Sequence, residues 1–238
     1  MKTSTSIIAQ HRAARIAGFM FLFILTTILL NSFILSKLIV TENALATANN
    51  IVTSTWLFRL GITNELILSV CAILLAIALY ITLKSVNKHL ALMALYLKLT
   101  EGILSAVIAL LNFIGLQVLL GKDQITTTSE QSRTLVGSFL NLHDTLYAIP
   151  MLFLGLNLVL FSYLFFKSRY IPKSLAVFGM VSYALVFGFA LVNILLPKLS
   201  ALVLTVPSIL FELIIGIWLL FRGINTSVMV SENIKTDT

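Results

Sequence analysis

The sequence predicts an all-α fold: a polytopic transmembrane bundle of six helices with both termini in the cytoplasm. Three observations predict it. First, 59% of the 238 residues are hydrophobic and only 11% charged, with mean hydropathy +1.04; a soluble domain carries about 25% charged residues. Second, several apolar runs exceed the ~18–20 residues that one bilayer crossing needs. Third, the sixteen Lys and Arg residues divide unevenly between alternate loops, which is the topology signal of a membrane protein.

The elements follow in order. The first run, Ile16–Ser36, follows the basic stretch "MKTSTSIIAQHRAAR". It is too long for a cleavable signal and no small-residue cleavage site follows, so it is expected to stay as a first helix. Next, "TENALATANNIVTSTW" (41–56) spaces Leu45, Ala48, Val52 and Trp56 at helical intervals. It is expected to form a short interfacial helix capped by Thr41, with Glu42 in its first turn, and to act as a cover or lid. Leu57–Leu83 and Leu90–Leu120 are the second and third spans, longer than the minimum and so tilted.

"GKDQITTTSEQSRT" (121–134) is polar and Thr/Ser-rich, and is expected to be the most mobile outer segment. Leu146–Phe166, Lys173–Leu196 and Leu202–Arg222 complete the six spans. The single domain is 1–238, with a core over about 12–223 and a disordered tail over 224–238.

Orientation follows from the loops. Ten basic residues lie on the N-terminal side (Lys2, Arg12, Arg15, Lys84, Lys88, Lys167, Arg169, Lys173, Arg222, Lys235), against Lys37, Lys122, Arg133 and Lys198 on the other. The excess places the N-terminal side in the cytoplasm. The net charge of +7 is therefore a topology signal and does not point to nucleic acid. Trp56 and Trp218 fall near opposite interfaces. The one cysteine, Cys71, allows no internal disulfide. The two cytoplasmic turns, in "YITLKSVNKHLALM" (80–93) and "YLFFKSRYIPKSLAVF" (163–178), echo one another. That pattern fits either a parallel repeat or two turns under the same anchoring rules.

Charges inside spans carry the functional information. One such group costs at least ~2.5–3.5 kcal/mol at mid-span, so it faces the bundle interior or a wet cavity. The spans hold Arg59, Glu65, Lys98, Glu101, His143, Asp144 and Glu212. Two firm cations face four carboxylates, so the surplus acids must be met by His143, by protons or by a bound cation. Lys98, Glu101, Ser105, Ala109 and Asn112 fall within about 80° on one helix face. Gly61, Glu65, Ser69, Ala72 and Ala76 form a second such seam. Asp144, Ala148, Met151, Gly155 and Ser162 form a third, and Ser208, Glu212 and Gly216 a fourth. Small and polar seams are where membrane helices approach and bond, so all four are expected to face one interior.

Depth then sorts the groups. Arg59 lies ~9 Å nearer the outer end than Glu65, and His143 ~34 Å along its helix from Phe166. The expectation is an outward-facing polar cavity: Glu65, Glu101 and Glu212 deep, with Arg59, His143 and Asp144 as a rim. Arg59–Asp144 is the first expected rim pair, and Lys98–Glu101 an intrahelical ion pair at i,i+3. Pro150 and Pro207 are expected to kink their helices, freeing carbonyls near Asp144 and Glu212.

Specific chemistries are poorly motivated. A metal site needs three or four converging ligands, and only a strained set of His143, Glu65 and Glu101 is conceivable. Ser69, Ser105 and Ser208 lie near acids but in no nucleophile motif. No catalytic residue, metal or cofactor is assigned, and the reading leans away from an enzyme.

Five stretches carry a resemblance: "RIAG" (15–18), "LFRLG" (57–61), "NLHD" (141–144), "YIP" (170–172) and "FELIIGIWLLFRG" (211–223). Together they resemble a bacterial domain-of-unknown-function family, numbered four-three-eight-six, of small multi-pass membrane proteins. The likeness covers about Arg12–Gly223, and order and spacing carry it. The family often has Gly before its Tyr-x-Pro turn, where this chain has Arg169. The resemblance implies one compact helical domain in a bacterial inner membrane and supplies no reaction, substrate or cofactor.

The leading reading is a lipid-embedded protein that binds or transports a small polar or cationic solute, or protons. The competing readings are a non-catalytic scaffold or partner-binding subunit, and an intramembrane hydrolase.

Overall fold

The structure is a computed structural model. It describes residues 4–40, 43–121, 130–196 and 202–225, with the side chains of 4–6, 130–132, 143, 144, 202 and 203 left out. The expectations placed on Thr41, Glu42, loop 122–129 and tail 226–238 lie outside these residues.

Eight α-helices are described: α1 Ser4–Leu38, α2 Ala44–Thr53, α3 Thr55–Leu83, α4 Lys88–Leu119, α5 Glu130–Asn141, α6 His143–Ser168, α7 Lys173–Leu195 and α8 Val206–Phe221. A 3₁₀ turn, Leu202–Thr205, precedes α8. Long apolar runs become helices because backbone groups in hydrocarbon must bond within the segment. Five segments are long and apolar enough to cross a membrane: Ile7–Leu38, Thr55–Leu83, Lys88–Leu119, Arg133–Ser168 and Lys173–Leu195.

The sixth expected span is present as a shorter apolar helix. Its α-helix is the 16-residue Val206–Phe221, about 24 Å long at 1.5 Å per residue, against ~30 Å of hydrocarbon. Pro207 sits in its first turn. A proline ring clashes with the carbonyl four residues back in a continuous helix, so the α-helix starts here and the preceding residues take a 3₁₀ turn. The expected mid-helix kink beside Glu212 is therefore absent: a first-turn N–H has no helical partner, so a proline frees no carbonyl there. Pro150, by contrast, does lie inside α6.

Two outer segments also differ from expectation. The short helix exists, but its cap is Asn43, whose Oδ1 accepts from Ala46 N at 2.9 Å. It buries Thr47, Ala48 and Ile51, while Trp56, now in α3, is 73% exposed. Of the expected stripe, Ala48 is buried and Val52 packs partly buried against the core, while Thr47 and Ile51 join them because α5 covers α2. Residues 130–134, expected as loop, open α5, which packs on α2.

The main helices form a ring in which α1 packs on α3, α3 on α4, α4 on α6, α6 on α7, α7 on α8 and α8 on α1. One core cluster, with Phe21, Leu79, Phe161, Phe165, Tyr183 and Phe211, fills the half nearer the termini. A second, with Ile34, Leu38, Ile51, Leu116 and Leu140, lies under α2 and α5. Polar ties close the terminal end. Gln10 Nε2 donates to Thr82 O at 3.1 Å and Ser85 Oγ at 2.7 Å. Ser85 Oγ meets Tyr170 OH at 3.3 Å, and Asn225 N donates to Tyr170 O at 3.0 Å. Arg169 ends α6 in the left-handed region, φ 55°. That conformation is why glycine suits this turn, and here an arginine holds it.

Helices α1 and α8 approach one another closely. A Cβ on Gly18 would meet the backbone of α8, 2.8 Å from Gly216 O and closer still to Leu220 N. Gly18→Ala therefore lowers stability by about 1–3 kcal/mol. Gly188→Ala, with nothing within 4 Å of its added carbon, leaves stability unchanged or raises it slightly. Denaturation in detergent by circular dichroism reads both, and equal losses would contradict the assigned packing.

Candidate functional site

The polar interior is built from single residues on different helices. On α3, Glu65 is 1% exposed. Asn112 Nδ2 of α4 donates to its Oε2 at 3.0 Å, and Asn31 Nδ2 of α1 lies 3.4 Å from its Oε1. On α4, Lys98 and Glu101 stand one turn apart and form the expected pair. Lys98 Nζ is 2.9 Å from Oε1 and 2.7 Å from Oε2, and the side chains are 4% and 12% exposed. Asn157 Nδ2 of α6 adds a bond to Glu101 Oε2 at 3.2 Å. On α8, Glu212 accepts from Tyr183 OH of α7 at 2.7 Å.

Each acid thus receives a donor from a neighbouring helix. This is the expected outcome for charges in a low-dielectric interior, where an unsatisfied polar group costs several kcal/mol. The same side chains hold the ring together.

Between the helices lies a cavity of about 240 Å³. Lys98, Glu101 and Glu212 line it, with Asn31, Ser69, Ser105 and Tyr147 as further polar groups. Most of the remaining wall is apolar, including Phe21, Ile28, Leu68, Met151 and Leu154. The volume is well above the 10–15 Å³ or so that one water needs. Its α1 side chains run from Phe21 to Leu35, and its α6 side chains from Tyr147 to Leu158. Both stretches place it mainly in the half of the bundle away from the N-terminus.

The expected site residues separate into three groups. Glu101 and Glu212 share the cavity. Glu65 sits behind it, joined to the wall through Asn31. Arg59 lies elsewhere, in a groove between α3 and α4 with Ile62, Thr63, Leu66, Ala109, Leu110 and Phe113. The reason is rotational: six residues at 100° place Arg59 about 120° around α3 from Glu65, so depth alone grouped them wrongly. His143 and Asp144 open α6, and their side chains, with the expected Arg59–Asp144 pair, lie outside the described residues.

Some participants were not in the expected set. Lys98, read only as a local ion pair, is the one cation among the described residues lining the cavity. Asn31, Asn157 and Tyr183 supply donors. An amide inside a long apolar run is itself a signal, because it too must find a partner. Asn31 Oδ1 and Asn157 Oδ1 are buried acceptors with no hydrogen-bond partner among the described residues.

Compared with known proteins, residues 16–223 match the family described as Domain of unknown function (DUF4386). Neither the curated proteins nor the solved structures contain a match.

Proposed function

Since the chain belongs to the DUF4386 family of unknown function, whose name carries no activity, we propose a function from the cavity itself. The protein binds, and in a transport cycle moves, a small cationic solute with an apolar body, or protons. We place it in a bacterial cytoplasmic membrane with both termini inside. α8 and its 3₁₀ turn form the sixth crossing, and the cavity faces outward.

The observation that carries this reading is the charge balance of the interior. Glu101 and Glu212 line a largely apolar cavity with Glu65 behind them, and Lys98 is the one cation among the described lining residues. Lys98 is already held by both oxygens of Glu101. Glu212 is met by a phenol. A cation entering the cavity meets the carboxyl groups of Glu101 and Glu212 within a largely apolar lining. Low dielectric strengthens the attraction, and apolar contact with the ligand body adds to it. Asn31 also lines the cavity, and its orphaned Oδ1 is a ready acceptor for an ammonium N–H.

Benzylammonium and benzyl alcohol separate this reading from its competitors. Purified protein in liposomes should be stabilised against heat by benzylammonium in proportion to RT ln(1 + [L]/Kd), about 2.7 kcal/mol at a hundredfold excess over Kd. Benzyl alcohol, similar in shape and uncharged, should give little. If neither benzylammonium binding nor pH-gradient-driven uptake is seen, the reading fails and a scaffold role takes its place.

A further inference from the structure

At the opposite end of the bundle from the cavity lies a pocket of about 370 Å³, lined by Arg169, Tyr170, Ile171, Pro172, Lys173, Trp218 and Asn225. We propose that this pocket is a binding site for the phosphate of an anionic membrane-lipid headgroup, held by Arg169 and Lys173 against Trp218. It is independent of the cavity and of the function proposed for it.

Among the described residues no carboxylate pairs with this charge. Among the described residues the one salt bridge is Lys98–Glu101, far away in the spans. Arg169 and Lys173 come from the turn between α6 and α7, which is otherwise tied down: Tyr170 and Ile171 are buried at 4% and 3% exposure, and Asn225 N bonds to Tyr170 O. The two cations are therefore displayed from a fixed turn.

Arg169 is the one non-glycine residue among those described with positive φ. That conformation is unfavourable for an L-residue, and a glycine would relieve it. Arginine also brings the planar fork that binds phosphate oxygens in pairs.

The chemistry of the surroundings selects a lipid over a free anion. Trp218 is half-buried in the last turns of α8, with the Arg222 guanidinium 4.7 Å from its ring centre, an arrangement suited to the headgroup level of a membrane. Lys173 Nζ lies 5.5 Å from the Phe166 ring centre, so the ammonium is held over an aromatic face. Away from the pocket, α7 and α8 leave Val177, Val181, Ile217 and Phe221 exposed, an apolar surface for acyl chains. Basic pockets at helix ends on the cytoplasmic side bind anionic headgroups by this combination of charge and hydrocarbon.

The test is native mass spectrometry of the full chain in detergent, titrated with phosphatidylglycerol, phosphatidylethanolamine or inorganic phosphate. Phosphatidylglycerol should bind in a defined 1:1 step, more tightly than phosphatidylethanolamine. The double variant Arg169→Gly, Lys173→Gln removes both charges while relieving the backbone, and should weaken that step about tenfold or more. Lys84→Gln with Lys88→Gln removes the same charge from another turn at that end and should change it less than twofold. Equal losses in the two double variants would reduce the site to diffuse charge and overturn the proposal. So would displacement of the lipid by millimolar inorganic phosphate, which would make the ligand a free anion.

Discussion

Lys98→Met destabilises the protein by about 3–5 kcal/mol, the cost of leaving one half of a buried ion pair uncompensated. Glu101 then keeps only Asn157 among its described donors, in an interior where its side chain is 12% exposed. Adding Glu101→Leu to Lys98→Met recovers most of the loss, because replacing both partners of a buried pair by apolar groups of similar volume is often neutral or stabilising. Chemical denaturation in detergent of the two single variants and the double variant measures the coupling. Additive losses would mean that the pair contributes nothing jointly, and that Lys98 is held by solvent in the cavity. The double variant also separates stability from function: it should fold well and bind benzylammonium poorly, since a carboxylate of the cavity wall is gone.

The second large effect falls on Glu212. Glu212→Gln should weaken benzylammonium binding tenfold or more, about 1.4 kcal/mol, with little change in stability. The amide oxygen can still accept from Tyr183 OH, which stands 2.7 Å from Oε1 in the native chain, so the shape and the hydrogen bond survive while the carboxyl group does not. Tyr183→Phe is the converse. It keeps the carboxyl group and removes its donor, and should cost about 1–3 kcal/mol of stability, the cost of leaving a buried acceptor unsatisfied. Isothermal titration and denaturation on both variants distinguish the roles. If Glu212→Gln binds the cation as tightly as the native protein, Glu212 serves packing alone. The proposed site would then have to rest on Glu101.

The positions of the deep acids were legible in the sequence because bilayer energetics are severe. An ionised group in an apolar run must face inward, and helical periodicity then states which neighbours share its face. Ser69, Ala72 and Ala76 accompany Glu65 into the interior, and Asn112 accompanies Glu101. All but the partly exposed Glu101 are buried. Partners across helices were not legible. Nothing local in the chain tells Glu65 that it will meet Asn31 as well as Asn112, or Glu212 that Tyr183 will donate to it. Arg59 marks the limit of reasoning by depth: it lies on the same helix as Glu65 and opens into a different groove.

By itself the sequence determined that this is a multi-pass helical membrane protein of one family, with acids and a lysine on inward faces. Length, apolarity and 3.6-residue periodicity are local quantities, and hydrocarbon permits few alternatives to a helix. Tertiary structure alone decided three things: that Pro207 starts a helix instead of kinking one, that α5 folds over α2 and widens its buried face, and that Lys98, Glu101 and Glu212 line one cavity while Arg59 does not. Each depends on the azimuth and offset of one helix against another. Those are set by close contacts such as Gly18 on Gly216 and Leu220, which a one-dimensional pattern does not encode.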